Sequence, residues 1–407
     1  MPSDERRYYG LDALRGAMMV LGIVLHAAMF YIAAPPPGMS IIGDGNRSLL
    51  FDGVVAFIHS FRMPAFFVLA GFFAALLVEK RGVWGMYKNR LARIAAPLAA
   101  AFVTVLPVTL WLMMLFAFAA RFGIYDFTAP TREQQRIFLR EAIAQGIPVN
   151  QLFIVHLWFL YYLCYFYLLV PVCRWLVAAS RRIEPSLRKF LASPASFVAF
   201  GLYTAVTVWP FHGGQLHDVF RLAALIPDPP ALLYYASFFV LGYFAHTYRD
   251  VVQTLTVHVW RWGLLALVLF AVGQYASYLE YYRHGSHLVA VLAQSFCTWA
   301  LIYFFVGVTL RYFDRPSPWV LYTSQSAYWV FLLHMPVIAF VAWWLLRYDI
   351  PALAKFLVVA GIATFVCFST YHYAVQRTWI SRFLNGKRFD LDWPWRTMHA
   401  SPEAARP

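Results

Sequence analysis

The sequence predicts an all-α, polytopic membrane protein of about ten transmembrane helices, with both termini cytoplasmic and no separate soluble domain. Three observations predict it. Hydrophobic residues make up 61% of the 407 residues and charged residues only 13%, where a soluble domain carries ~25% charged. Ten stretches stay apolar over about the 20 residues that cross a bilayer: 12–33, 52–78, 92–120, 153–175, 192–211, 230–248, 259–279, 288–310, 322–346 and 352–375. The loops between them alternate in charge. With the N-terminus inside, the inner segments hold 21 Lys/Arg and the outer ones 8, the bias expected of cytoplasmic loops. That topology also accounts for the net charge of +14, so no nucleic-acid partner is needed.

The first span follows Arg6 and Arg7 and ends near Ile32-Ala-Ala-Pro35. It imitates a secretory signal. Asp12, Arg15 and His26 interrupt it, and many spans follow, so it reads as an uncleaved first helix. Pro35-Pro-Pro-Gly38 marks a turn after it. The second span carries His59 and Arg62, and a basic loop, 79–91, leads into the third. The outer loop 121–151 has mixed charge and room for a surface helix. Span four opens at His156-Leu-Trp-Phe159. Prolines at 210, 227, 229 and 230 crowd spans five and six, which are the weakest. Span nine holds Phe331-Leu-Leu-His-Met-Pro336, and Lys355 opens span ten. The chain divides into a membrane domain, 1–378, and a basic cytoplasmic tail, 379–407. Cys164, Cys173, Cys297 and Cys367 lie in or beside apolar stretches without Cys-x-x-Cys spacing. They predict neither a disulfide framework nor a metal site.

Ionisable residues inside a membrane are costly and usually functional. Arg15 and His26 stand eleven residues apart, close to three helical turns, so they share one helix face about 16 Å apart. Arg15, Arg93 and Lys355 lie near span ends and can snorkel to the interface. Arg62 cannot, since it lies about 15 Å from the outer end of span two, with His59 on the same face. His26, His59, His156 and His334 fall at depths that let them line one cavity with Arg62, provided their helices are neighbours. The blander reading makes each histidine a hydrogen-bonded packing residue and Arg15 a topology anchor. His246, His258, His287 and His372 lie near span ends and read as interfacial.

Five motifs change that balance. They are Leu11-Asp-Ala-Leu-Arg-Gly16 with His26 downstream, His59-Ser-Phe-Arg-Met-Pro-Ala-Phe-Phe-Val-Leu-Ala-Gly-Phe72, Arg90-Leu-Ala-Arg-Ile-Ala-Ala-Pro97, His156-Leu-Trp-Phe-Leu160 and Ser326-Ala-Tyr-Trp-Val-Phe-Leu-Leu-His-Met-Pro336. In this order, over nearly the whole chain, they resemble the acyltransferase-3 family of integral membrane acyltransferases. His59–Met63 and Ile380-Ser-Arg-Phe-Leu-Asn-Gly-Lys387 are most similar to its glucans biosynthesis protein C-like branch. Where the family often has Ser before Gly-Phe of span two, this chain has Ala70, so no hydroxyl acts there.

The resemblance implies a multi-pass enzyme of the bacterial inner membrane. It would move an acyl group, succinyl before acetyl, from cytoplasmic acyl-CoA to hydroxyls of an osmoregulated periplasmic glucan. Acyl-CoA is then a co-substrate, with no resident cofactor and no metal. The other expected partners are the glycan acceptor and membrane lipid, and a homo-oligomer is compatible with the sequence. His26 and Arg62 are the expected catalytic residues, His26 as general base or acyl carrier. Arg15, Lys88, Arg90 and Arg93 would hold the polyanionic donor, while Lys80 and Arg81 serve topology. Asp12 would orient Arg15. His59, His156 and His334 would support the site, and Trp158 either packs on sugar or marks the aromatic belt. Two readings compete: an O-acetyltransferase of surface polysaccharide, lipid-linked sugar or peptidoglycan, and a proton-coupled or sugar transporter. Against the transporter, no acidic residue stands deep in a span and no repeat is visible.

Overall fold

A computed structural model describes residues 8–35, 43–127, 130–145, 147, 152–211 and 223–394. Arg6 and Arg7, most of the turn at Pro35–Gly38 and the end of the tail lie outside them. The described chain is helical, with a single isolated β-bridge between Phe153 and Ala224. Its helices, in order, are α1 Tyr9–Ala28, α2 Leu49–Arg90, α3 Ala96–Val103, α4 Val105–Phe122, α5 Arg132–Ala144, α6 Trp158–Leu168, α7 Val170–Ser180, α8 Glu184–Leu191, α9 Pro194–Val208, α10 Pro229–Thr247, α11 Arg249–Gln253, α12 Val259–Arg283, α13 His287–Tyr312, α14 Pro318–Leu345, α15 Ala352–Thr370 and α16 Trp379–Asn385. Seven stretches are long and apolar enough to span a membrane, and α6 with α7, bent by 52°, would make an eighth. The fifth and sixth expected spans correspond to α9 and α10: α9 is apolar but only 15 residues long, ending just before Pro210, and α10 is diluted by prolines and tyrosines.

Two expected loops are helical. Segment 79–91 continues α2, broken only at Gly82, whose φ of +68° a side chain rarely adopts. The third expected span is discontinuous: a π-turn covers 91–95, and Thr104 separates α3 from α4. The outer loop does hold the anticipated surface helix, α5, started by a Thr131/Gln134 capping box.

Close helix approach is set by glycine. A Cβ on Gly71 of α2 would strike the Phe239 carbonyl of α10, and one on Gly242 of α10 would strike the Val68 carbonyl of α2. The two helices therefore cross backbone to backbone, as small residues allow in membrane bundles.

Prolines 64 and 336 sit inside α2 and α14. Each lacks the N–H that would bond the carbonyl four residues earlier. For Pro64 that carbonyl belongs to Ser60, and the Thr298 hydroxyl of α13 donates to it at 2.7 Å. Helix α2 is thereby tied to α13 at the depth of Arg62.

Lys355 does not snorkel. Its Nζ is 2.8 Å and 3.0 Å from the two carboxylate oxygens of Asp44, and both residues are almost fully buried, at 1% and 2% exposure. Asp44 lies in the loop before α2, so a loop acid enters the bundle and neutralises a span cation. Breaking a buried pair strands one charge. Lys355→Met is accordingly expected to destabilise the fold by about 3–5 kcal/mol, with much of the loss recovered in Lys355→Met/Asp44→Leu. Thermal unfolding of the three purified variants measures this, and an equal loss in the single and double variants would contradict it.

Candidate functional site

Helix α1 carries Arg15 and His26 on one face, as their spacing requires, and packs along α14. The two helices run the same way. Near its start, α1 meets α14 through a polar knot. Arg15 Nη2 is 3.1 Å from Asp12 Oδ1 and donates to the Ser324 carbonyl at 3.2 Å and to the Ser324 hydroxyl. Ser324 Oγ in turn donates to Asp12 Oδ1 at 3.0 Å. Asp12 therefore orients Arg15, and Ser324, which the sequence motifs did not single out, completes the group. Farther along the same two helices, His26 meets His334 with ring centroids 5.2 Å apart. From Arg15 to His26 is eleven residues, and from Ser324 to His334 ten. One knot thus sets the axial register that brings the two imidazoles together.

Three elements close around His26. A cavity of about 20 Å3 is lined by His26, Arg62, Met63, Phe66, His156, Trp158, Phe159 and Phe331. That volume holds about one water molecule, so an acyl chain enters only as the helices part. His334 stands behind the lining, at 5.2 Å from the His156 ring and 6.2 Å from Phe331. His59 is not among the lining residues, although it lies within electrostatic range of His26. Trp158 lines the cavity and is 9% exposed, so it is not an aromatic-belt residue.

Arg62 is 4% exposed. Its Nε donates to the Met18 carbonyl at 2.8 Å, Nη1 lies 3.7 Å from Met63 Sδ, and the guanidinium sits 5.5 Å from the Phe66 centroid. Among the described residues no carboxylate pairs with it. The guanidinium fits because position 22 is glycine: a Cβ there would collide with Arg62 Nη2. An unpaired buried cation costs several kcal/mol, as an idealised estimate, and it fits an anionic ligand or a developing oxyanion.

His156 is positioned by strain and by a bridge. Val155 has φ of +45°, a conformation that costs a β-branched residue about 1–3 kcal/mol. Backbone bonds from Ile154 to Ala223, 2.7 Å, and from Leu225 to Leu152, 3.1 Å, hold the segment in place. The His156 ring faces the Leu332 carbonyl, the one Pro336 leaves without a helical donor, but outside good hydrogen-bond geometry. Neither of its ring nitrogens is bonded, nor are His26 Nδ1 and His334 Nε2.

The expected donor-side cations lie apart from the cavity and differ among themselves. Arg93 donates to the Phe383 carbonyl at 2.8 Å and to that of Arg382. It caps the C-terminal end of α16, where a cation is favoured. Arg90 stacks over Tyr167 at 4.9 Å, and Lys88 over Trp84 at 5.6 Å. Arg15 keeps 37% of its side chain exposed. His246, read as interfacial, is 6% exposed and faces Glu79 at 3.2 Å. Among the described residues no group of His, Cys, Asp and Glu is placed to hold a metal ion. All four cysteines are free.

The chain is similar to known proteins over most of its length. The acyltransferase-3 profile, described as an acyltransferase domain, matches residues 8–372. Glucans biosynthesis protein C of Escherichia coli O6:K15:H31 (strain 536) is 25% identical over 361 residues, covering 83% of this chain and 84% of that protein. The protein of the same name from Escherichia coli K12 is 25% identical over 360 residues, with the same coverage. No solved structure matches the chain.

Proposed function

Because the chain belongs to the acyltransferase-3 family and is a membrane acyltransferase, we propose that it moves a succinyl group from cytoplasmic acyl-CoA to hydroxyls of a periplasmic glucan, in the bacterial inner membrane. The carrying observation is the convergence of His26, His156 and an unpaired, buried Arg62 on one cavity within the helix bundle. The name shared by the two relatives supports glucan as the acceptor class.

In this reading Arg15, Arg90 and Lys88 receive the CoA phosphates at the inner end, and the pantetheine arm runs along α1 toward His26. Arg93 contributes charge while it caps α16. His26 takes the proton of a sugar hydroxyl as the oxygen attacks the thioester carbonyl. The tetrahedral oxyanion is held by the Arg62 N–H groups. The C–S bond then breaks, the acyl group stays on the sugar oxygen, and the CoA sulfur leaves as thiolate and takes the proton back from His26. Trp158 and the phenylalanines exclude water from the thioester.

The O-acetyltransferase alternative uses the same centre. Arg62 favours succinyl over acetyl through its charge: while its free N–H groups serve the oxyanion, a buried cation without a protein carboxylate attracts an acyl group that carries one. Proteoliposomes supplied with glucan oligosaccharide and an equimolar mixture of succinyl-CoA and acetyl-CoA test this by product mass. Succinylated glucan is the expected product. Acetylated glucan as the main product, or unmodified glucan, would overturn the assignment of donor and acceptor.

A further inference from the structure

His334 has one proton to place, and the structure fixes where. Its Nδ1 is 2.9 Å from the Val330 carbonyl, four residues earlier on α14. A carbonyl only accepts, so Nδ1 carries the hydrogen. In the neutral ring Nε2 is then a bare lone pair. That nitrogen is buried without a partner, in a residue 2% exposed.

His26 presents the complement. Its Nδ1 is buried and unpartnered, while the residue as a whole is partly accessible and lines the cavity. Nε2 is therefore the nitrogen that can meet a substrate. For Nε2 to act as a base, the ring hydrogen must sit on Nδ1. A hydrogen on His26 Nδ1 needs an acceptor, and the bare nitrogen of His334 is on the neighbouring ring, 5.2 Å away between centroids. The register set by Arg15, Asp12 and Ser324 keeps the rings abreast.

We propose that His334 is a positioning residue, an uncharged stand-in for the carboxylate that usually orients a catalytic histidine. It accepts the Nδ1 hydrogen of His26, holds the tautomer with Nε2 free, and shares the second proton when His26 is transiently imidazolium. Catalytic hydrogen bonds often tighten only with substrate bound, which accords with the unbonded nitrogens here. A neutral acceptor also suits its neighbours. Among the described residues the only charged side chain lining the cavity is the Arg62 cation, and a carboxylate in place of His334 would offset that charge. His156 is the competing ring, edge-on to His334 at 78° with centroids 5.2 Å apart.

The inference rests on acyl transfer through His26, so its test has an arm that does not need turnover. Solid-state 15N spectra of histidine-labelled protein in bilayers read the protonation of each ring nitrogen. The expected result is His334 with a protonated Nδ1 and a bare Nε2, and a shift of that Nε2 signal in His26→Ala but not in His156→Phe. A protonated Nε2, or sensitivity to His156→Phe alone, would overturn the proposal. In the activity arm, His334→Leu is expected to lower kcat by about 100-fold, as loss of an orienting partner does, with KM for both substrates nearly unchanged. His334→Gln, whose side-chain carbonyl can replace the Nε2 acceptor, is expected to restore most of it. Equal loss in both variants would assign His334 to packing alone. Inactive wild-type protein with the expected spectra would defeat the acyl-transfer reading and leave the tautomer assignment standing.

Discussion

His26→Ala is expected to lower acyl transfer by about 1,000-fold or more, the scale of a lost general base, while the protein inserts and folds normally. The reasoning is local. His26 sits near the end of α1, its Nδ1 makes no hydrogen bond that the variant would break, and its ring borders a cavity instead of filling a close-packed core. The polar knot holding α1 against α14 lies eleven residues away and is untouched. Initial rates on purified protein, with thermal unfolding alongside, check this. Full activity in a folded variant would remove His26 from the chemistry, and loss of folding would make it a packing residue.

Arg62→Met is the second large effect, and its sign on stability is the informative part. Transfer is expected to fall by about 100-fold or more, as when an oxyanion donor is removed. Stability is expected to hold or rise. The guanidinium is buried without a carboxylate, and replacing such a charge with an apolar side chain of similar reach removes a desolvation cost. The main bond lost, from Nε to the Met18 carbonyl, contributes about 1 kcal/mol, and the Met63 and Phe66 contacts are ones an apolar side chain can replace. Arg62→Lys is not expected to rescue activity, because an ammonium cannot reproduce the fork that serves Met18 and the cavity together. Kinetics and unfolding of the same preparations decide it. A marked loss of stability in Arg62→Met would show that the protein keeps this charge for structure.

Part of this centre was legible in the sequence. A spacing of eleven residues is nearly three turns, so the common face of Arg15 and His26 followed from helix geometry alone. That Arg62 lies too deep to snorkel followed from its position in the span, while its bond to the Met18 carbonyl did not. The motifs supplied what spacing does not: they linked His156 and His334 to the same protein family before any contact was known. Other features need three dimensions. Asp44 looks like an ordinary loop acid, and only the fold brings it to Lys355, 311 positions later in the chain. Ser324 is one serine among many until Arg15 reaches it. Trp158 near a span end has the appearance of a belt residue, and only the fold makes it a cavity wall. By length and apolarity seven or eight spans are counted against the ten expected, and the difference lies at α9, which is 15 residues long, and at α10, which prolines and tyrosines leave less apolar.

Pro64 and Pro336 lie close to the site residues in both sequence and fold. Each proline follows a motif residue of the centre closely, and each frees a backbone carbonyl in the bundle. One is satisfied by Thr298. The other faces His156 without a good bond. Both irregular turns lie beside the cavity, which is where a membrane helix tolerates them.

In the proposed function one buried centre joins a donor on one side of the membrane to an acceptor on the other. The direct measurement uses proteoliposomes with oriented protein, radiolabelled succinyl-CoA confined to the cytoplasmic face and glucan oligosaccharide confined to the opposite face. Labelled glucan is expected in the acceptor compartment, none with His26→Ala, and no intact CoA crossing. Labelled glucan formed only when both substrates share one compartment would contradict it.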